Sequence, residues 1–309
     1  MSFHTTQSRA LVFSLLVSLV AFPSANAAQQ KSDEVSFAVT VTDKLGRCVD
    51  NLSQSDFAVY DEKTRQEITS FSKEEGPVAI GILLDISGSI QAQKRIRLSN
   101  IKSMLLEFFR QERATNAYFI YAFSGQPVLL IDWTRDKNSI IESLSSLELN
   151  PRGNTAFYDA CSVAVDKLMQ AGNPRRALVV ISDASDNNSK LIYPKLREKM
   201  KRSDVTFYSI GLVDAAIDGL VGPGFGRSVC NELASISGGR SFFPDAEKDF
   251  RLSLELIAQY LGCRYRIGFK PAAQDGKRHS VKIKIASTDK DKNNLTVRHR
   301  PEYLASGAQ

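Results

Sequence analysis

The sequence predicts an α/β fold: a doubly wound, mostly parallel sheet inserted in a small β-sandwich that the N- and C-terminal segments form together. Three observations carry this. Between residues 78 and 261, apolar runs of strand length alternate with stretches at helical spacing, as βαβ units require. On either side, residues 36–72 and 263–297 alternate with period two. Neither flank has enough strands to bury a good apolar face alone, so the two are expected to pair. The 309 residues leave room for one large domain or two modest ones. The expected organisation is a signal peptide over 1–27, an N-terminal β segment over 28–76, the α/β domain over 77–261, a C-terminal β segment over 262–304 and a tail over 305–309.

The first element is the signal peptide. Arg9 precedes an apolar run over 10–22, then Pro23 and the small-residue triplet Ala25, Asn26, Ala27. The run is too short to span a bilayer, which takes roughly 20 apolar residues. Cleavage is expected after Ala27, giving a periplasmic or extracellular protein. No cysteine stands at the cleavage site to carry a lipid anchor, and no second long apolar run follows. In the N-terminal flank, Phe37, Val39 and Val41 alternate along one strand, and Asp43, Lys44, Leu45 and Gly46 read as a turn. Residues 57–60 and 68–71 read as further strands, and Glu75, Gly76 and Pro77 close the segment.

The α/β region opens with residues 78–84, apolar throughout, as a strand buried on both faces must be. A helical stripe through Leu98, Ile101, Leu105 and Phe109 follows. Strands are expected at 117–123, 128–131, 177–181, 205–212 and 241–243. Helices are expected around Ile140 and Leu144, around Phe157, Cys161 and Leu168, over 191–200, over 230–236 before Gly238 and Gly239, and around Phe250 to Leu261. In the C-terminal flank Tyr265, Ile267 and Phe269 alternate, Asp275 and Gly276 turn the chain, Val281, Ile283 and Ile285 alternate again, and Leu295 and Val297 suggest a last strand.

Composition narrows the function. The chain is 43% hydrophobic and 24% charged, with 40 Lys and Arg against 34 Asp and Glu. That excess is mild and forms no basic block interleaved with aromatics, so nucleic-acid binding is not favoured. Histidine is limited to His4, His279 and His299, which argues against zinc sites and histidine acid–base chemistry. In an exported chain, Cys48, Cys161, Cys230 and Cys263 can form disulfides, in three full pairings, and show no C-x-x-C spacing. Cys161 lies on an apolar helical stripe and reads as a core thiol. Cys230 is expected at a helix start on the upper rim and Cys263 at the opposite end. The basic helix near Lys195 is expected to separate Cys161 from Cys230. Cys48 and Cys263 share the expected sandwich, and their pairing depends on strand register.

The informative motif is Asp85-Ile86-Ser87-Gly88-Ser89, directly after the first α/β strand. Ligands of open parallel sheets bind at the carboxyl ends of strands. One carboxylate and two hydroxyls there are hard oxygen donors suited to Mg²⁺, Mn²⁺ or Ca²⁺. Helix capping by Ser87 or Ser89 would account for the same residues. Thr155, before the Phe157 helix, adds a third hydroxyl, and Asp183 ends another strand with a second carboxylate.

These elements resemble the D-x-S-x-S, Thr and Asp elements of the von Willebrand factor A domain family. The resemblance extends to Phe123-Ser124, to the run Thr155-Ala156-Phe157-Tyr158-Asp159-Ala160 and to Ile236-Ser237-Gly238-Gly239, and covers roughly residues 78–261. The flanks, at Val41-Thr42-Asp43, Asp56-Phe57-Ala58-Val59-Tyr60 and Tyr265-Arg266-Ile267-Gly268-Phe269, resemble secreted bacterial proteins of this class. The resemblance implies a metal-ion-dependent adhesion site in which Ser87, Ser89 and Thr155 bind one Mg²⁺-type ion directly and Asp85 and Asp183 bind directly or through water. It implies a non-enzymatic module that captures an acidic side chain of a protein partner. Ala184 departs from the family's usual glycine, which costs little if the backbone there avoids positive φ. A structural or assembly component with an idle metal site is the alternative. A serine hydrolase is disfavoured, since the G-x-S-x-G elbow is absent and His279 and His299 lie in C-terminal strands, expected to be solvated. Gly222, Gly224 and Gly226 lack a phosphate-binding context and read as a loop on the metal-bearing rim.

Overall fold

The structure, a computed structural model, describes residues 34–91, 95–111, 115–148, 153–212, 225–286 and 294–307. The expected signal peptide and residues 221–224 of the glycine-rich segment lie outside them. The N-terminal segment forms β1 (Val35–Thr42), β2 (Phe57–Asp61), β3 (Thr64–Gln66) and β4 (Ser70–Lys73). The α/β region runs β5 (Ala79–Asp85), α1 (Gly88–Gln91), α2 (Leu98–Gln111), β6 (Ala117–Phe123), β7 (Pro127–Thr134), α3 (Lys137–Ser146), α4 (Phe157–Gln170), β8 (Arg176–Ser182), α5 (Tyr193–Arg202), β9 (Val205–Gly211), α6 (Phe225–Ser237), β10 (Arg240–Phe242) and α7 (Glu247–Gly262). The chain returns through β11 (Arg264–Phe269), β12 (Arg278–Ile285), β13 (Thr296–Arg298) and β14 (Glu302–Leu304).

The central sheet has the order β10-β9-β8-β5-β6-β7, parallel except for β7, which runs antiparallel to β6 at the edge. Its middle strand β5 is buried at every position, because helices cover both faces. Ile82, Leu84, Val179 and Ile181 pack on one face with Ile101, Leu105, Phe250 and Ile257 of α2 and α7. Leu83, Leu178 and Val180 pack on the other with Phe157 and Cys161 of α4, Leu196 of α5 and Leu233 of α6.

The flanks pair strand by strand. β1 lies between β11 and β13, with β4 beyond β11, and β2 pairs with β12, between β14 and β3. Phe37, Val39 and Val41 from the first sheet share one core with Val59, Val281 and Ile283 from the second. Each flank therefore contributes strands to both sheets, and the apolar face of each sheet is covered by the other. β3 and β14 are additions to the sequence expectation; each is three residues long with little apolar patterning.

Helix α6 starts five residues earlier than its apolar stripe suggested. Gly226 masks the first turn, since glycine is a poor helix former. Cys230 is therefore inside the helix rather than at its start. It also shares an apolar core with Cys161, and α5 does not separate them: Leu196 and Met200 of α5 join that same core. Both thiols are free and buried. Burial raises the Cys161 thiol pKa well above its ordinary value and pushes that of Cys230 up to about 12. Cys48 and Cys263 form a disulfide with Cα atoms 6.3 Å apart.

Candidate metal centre

Strand β5 delivers Asp85 to the upper rim of the sheet with no exposed surface. Its Oδ1 accepts the Ser87 N–H at 2.9 Å, which folds the chain back into a tight loop before α1. Its Oδ2 accepts the Ser182 hydroxyl at 2.5 Å, tying the end of β5 to the end of β8. Ser182 Oγ in turn accepts the Ala184 N–H at 2.8 Å. The Ser87 and Ser89 hydroxyl oxygens lie 3.1 Å apart. Asp183 Oδ1 accepts the Ser185 N–H at 2.9 Å, and the Ser89 hydroxyl lies close enough to help hold the Asp183 carboxyl down.

The Thr155 loop closes against this cluster through backbone. Gly88 N–H donates to the Gly153 carbonyl at 3.4 Å, and Ala156 N–H to the Ser124 carbonyl at 2.7 Å. Thr155 is buried, its N–H donates to Asn187 Oδ1 at 2.7 Å, and its carbonyl accepts from Asn187 and Asn188. Helix α4 has no side-chain cap of its own. The loop after β8 serves instead: Asp186 accepts the Tyr158 N–H and Ser189 Oγ accepts the Asp159 N–H, both at 3.0 Å. Asp159 reciprocates by accepting the N–H groups of Lys190 and Leu191, each at 2.9 Å. Orphan helix donors are thus satisfied from outside the helix.

The structure therefore gathers Asp85, Ser87, Ser89 and Asp183 by direct contacts and sets Thr155 in the adjoining loop. Among the described residues the Thr155 hydroxyl makes no hydrogen bond to the other four. Ser182, Asp186, Asn187 and Ser189, which position the set, escaped the sequence reading. The available signal was the short polar run Ser185-Asp186-Asn187-Asn188-Ser189 between a strand and a helix.

The electrostatics are one-sided. Burial, and then the neighbouring Asp183 charge, push the Asp85 carboxyl pKa up to about 7, against hydrogen bonds from Ser182 and Ser87. Burial also raises Asp183, opposed by Ser185 and Ser89. No cation is among the main influences on either carboxylate. Two desolvated carboxylates with hydroxyl neighbours fit a hard divalent ion, which supplies the missing positive charge. Among the described residues no group of three or more His, Cys, Asp or Glu side chains could hold a metal. The rim set differs from such groups, since three of its five donors are hydroxyls.

Three details revise the sequence reading. Ala184 does adopt positive φ, at 56°, so it carries the strain that glycine would avoid. The described histidines are not solvated. His299 accepts the Ile283 N–H at 3.0 Å on Nε2, with Nδ1 2.7 Å from the Arg300 carbonyl. His279 sits against Asp275 and Asp61. Both belong to the sandwich. Gly226, expected in a surface loop, is buried in the first turn of α6; a Cβ there would lie 2.1 Å from the Asp183 carbonyl oxygen.

Residues 80–185 match the von Willebrand factor type A domain. No curated protein matches the chain by sequence. Similar solved structures include an aerotolerance-related membrane protein from Bacteroides fragilis, at 18% identity over 60% of this chain and 98% of that one, with a TM-score of 0.47. BatB from Bacteroides thetaiotaomicron is 18% identical over 59% of this chain and 99% of its own, with a TM-score of 0.44. Proximal thread matrix protein 1 from the mussel byssus, with a zinc-occupied MIDAS motif, is 17% identical over 62% of this chain and 50% of its own, with a TM-score of 0.46.

Proposed function

We propose that the von Willebrand factor type A domain matched at residues 80–185 acts, in an exported protein, as a metal-dependent protein-binding module. Asp85, Ser87, Ser89, Thr155 and Asp183 would hold one divalent cation, Mg²⁺ in the first instance, with Mn²⁺ or Ca²⁺ as substitutes. The observation that supports this most is the pair of buried carboxylates at adjacent strand ends, for which no cationic partner is found among the described residues. When bound, the cation offers an open coordination position to a carboxylate from a protein partner. The chain's own part is to present the neutral hydroxyls of Ser87, Ser89 and Thr155, which leave the site's positive charge incompletely neutralised. Asp85 is fixed from two sides by Ser87 and Ser182. The backbone ties between Gly88 and Gly153 hold the Thr155 loop in register with it. The module is read as non-enzymatic, because neither sandwich histidine can serve Ser87 or Ser89 as a base.

The test is thermal unfolding under Mg²⁺ or Mn²⁺ titration against a chelator. The parent should be stabilised by metal, and Asp85→Ala should fold without that response. An equal response in both would overturn the ligand assignment. Capture of partners from envelope extracts should require Mg²⁺ and be lost in Thr155→Ala; capture that survives both changes would overturn the binding reading.

A further inference from the structure

A cleft of about 1020 Å³ opens between the sandwich and the carboxyl end of α6. Along β12, Val281 and Ile283 are buried in the sandwich core, so the exposed Lys282 and Lys284 point the other way. These two lysines and Lys63, in the turn between β2 and β3, line the cleft. Arg240 on β10 and Arg298 on β13 line it as well. No Asp or Glu is among the lining residues.

Glu62 borders the cleft, where its carboxylate accepts the Ser280 N–H at 2.6 Å and is held down in part by the Lys63 charge. Among the described residues none of these five cations is in an ion pair. Several arginines elsewhere do have acids: Arg175, Arg264 and Arg266 share Glu74, Arg278 meets Glu198, and Arg300 meets Asp204. Arg240 and Arg298 are held by neutral groups instead. Arg240 stacks over Phe242 at 4.8 Å and donates to the Tyr260 hydroxyl at 2.5 Å. Arg298 donates to Thr42 Oγ1 at 3.1 Å. Burial, and then the neighbouring Arg240 charge, lower the Arg298 pKa. A guanidinium carries five N–H donors, so each retains donors for an oxyanion. His299 adds no charge, since both its ring nitrogens are engaged and burial lowers its pKa.

The base of the cleft is built by close backbone approach. Gly238, at φ +78°, ends α6 where a Cβ would lie 2.7 Å from the His299 carbonyl carbon. Gly226 sits against Asp183 at the other end of the same helix, and the twelve steps of about 1.5 Å from Gly226 to Gly238 place the cleft roughly 18 Å from the metal rim. The two sites are distinct.

We propose that this cleft binds a small multianion, a molecule carrying two or more phosphate or carboxylate groups. Its volume is at the upper end of ordinary small-molecule pockets, about 300–1,000 Å³. One oxyanion would meet the arginine pair and a second would reach the lysines.

The experiment is calorimetric titration of the full chain with tripolyphosphate and with citrate, at low salt, on protein stripped of metal and then dialysed into metal-free, chelator-free buffer so that the metal rim contributes nothing. At least one anion should bind at a single saturable site that weakens as salt rises. Tripolyphosphate alone would assign phosphate, citrate alone carboxylate, and both the shared chemistry. Arg298→Gln should weaken binding at least tenfold. Because Arg298 also bonds Thr42, the exposed double variant Lys282→Gln/Lys284→Gln serves as an independent test and should do the same. Lys248→Gln, on exposed α7 surface, should leave binding unchanged. No saturable binding of either anion, equal binding by the lysine variant, or binding only of a polyglutamate peptide would overturn the proposal.

Discussion

Two buried carboxylate sites stand at opposite ends of the α/β domain, and they are built on opposite principles. At the lower end Glu74 lies between the domain and the sandwich, with Arg264 Nε at 2.8 Å, Arg266 Nη2 at 2.5 Å and Arg175 Nε at 3.5 Å. Arg175 also donates to the carbonyls of Gly76 and Leu261, which stitches the chain's exit from the sandwich to its return. At the upper rim the Asp183 charge raises Asp85, hydroxyls neighbour both carboxylates, and among the described residues no cation pairs with either. The lower carboxylate draws its counter-charge from the chain itself, so it reads as structure. The upper site has no such counter-charge among the described residues, and that is the deficit the proposed cation would fill. Burial is the same in both; the difference is who supplies the counter-charge.

The largest expected effect breaks the lower site. Glu74→Gln leaves three guanidinium groups without their shared carboxylate, and removal of one partner from a buried pair costs about 3–5 kcal/mol. Urea unfolding should show that loss, while the metal response of the folded protein stays as in the parent. A loss below about 1 kcal/mol would mean that solvent already screens the junction.

Glycines sharpen the comparison next. At the rim, Gly226→Ala puts a Cβ 2.1 Å from the Asp183 carbonyl oxygen. Backbone must move, and overpacking of this kind costs about 1–3 kcal/mol. Since the displaced residue is Asp183, metal affinity should fall as well. At the junction, Gly76 has φ +88° and open space around it, so Gly76→Ala costs only backbone strain, about 1–2 kcal/mol, and should spare the metal response. Equal metal responses in the two variants would remove α6 from the rim.

The sites should also answer differently to pH. The Asp85 pKa is raised to about 7 from an ordinary 3.8, so its contribution to metal-free stability is fully present below about pH 4 and is lost as pH rises through 7. A cation reverses that slope, because binding requires the ionised carboxylate. Apparent Mg²⁺ affinity should therefore fall about tenfold per pH unit below 7. Thermal shifts at pH 5, 6, 7 and 8, with Mg²⁺ and with chelator, check it. A metal response independent of pH would exclude Asp85 as a ligand.

Much of this was legible before the coordinates. The carboxylates, the hydroxyls and the β5 and β8 strand ends follow from apolar runs that stop at polar residues. The pairing of the flanks follows because Phe37, Val39 and Val41 need an apolar face that their own segment lacks. What stayed hidden depends on contacts distant in sequence. Ser182 is an ordinary strand residue until Asp85 lies beside it. Asp186 and Ser189 look like loop solvation until α4 arrives without a cap. The first turn of α6 was obscured by glycine, and the neighbourhood of Cys161 and Cys230 by the charged face of α5, whose Leu196 and Met200 face inward.

The smallest expected effect concerns Ala184, where two rules oppose each other. Its φ of 56° disfavours any side chain, by roughly 1–2 kcal/mol relative to the ordinary right-handed region. Glycine would relieve that strain. Glycine would also add unfolded-chain entropy worth about 0.4–1 kcal/mol. It would remove a fully buried methyl, worth about 0.8 kcal/mol, from the core that Val229 and Leu233 of α6 share. The two sides nearly cancel, so Ala184→Gly should unfold in urea within about 0.5 kcal/mol of the parent, with an unchanged Mg²⁺ response. The Ala184 N–H to Ser182 hydrogen bond does not depend on the side chain and should survive. A gain above about 1.5 kcal/mol would mean that the rim carries uncompensated strain, as sites held for function do. A loss of that size would mean that the methyl's packing, and not the backbone, fixes the Asp183 loop.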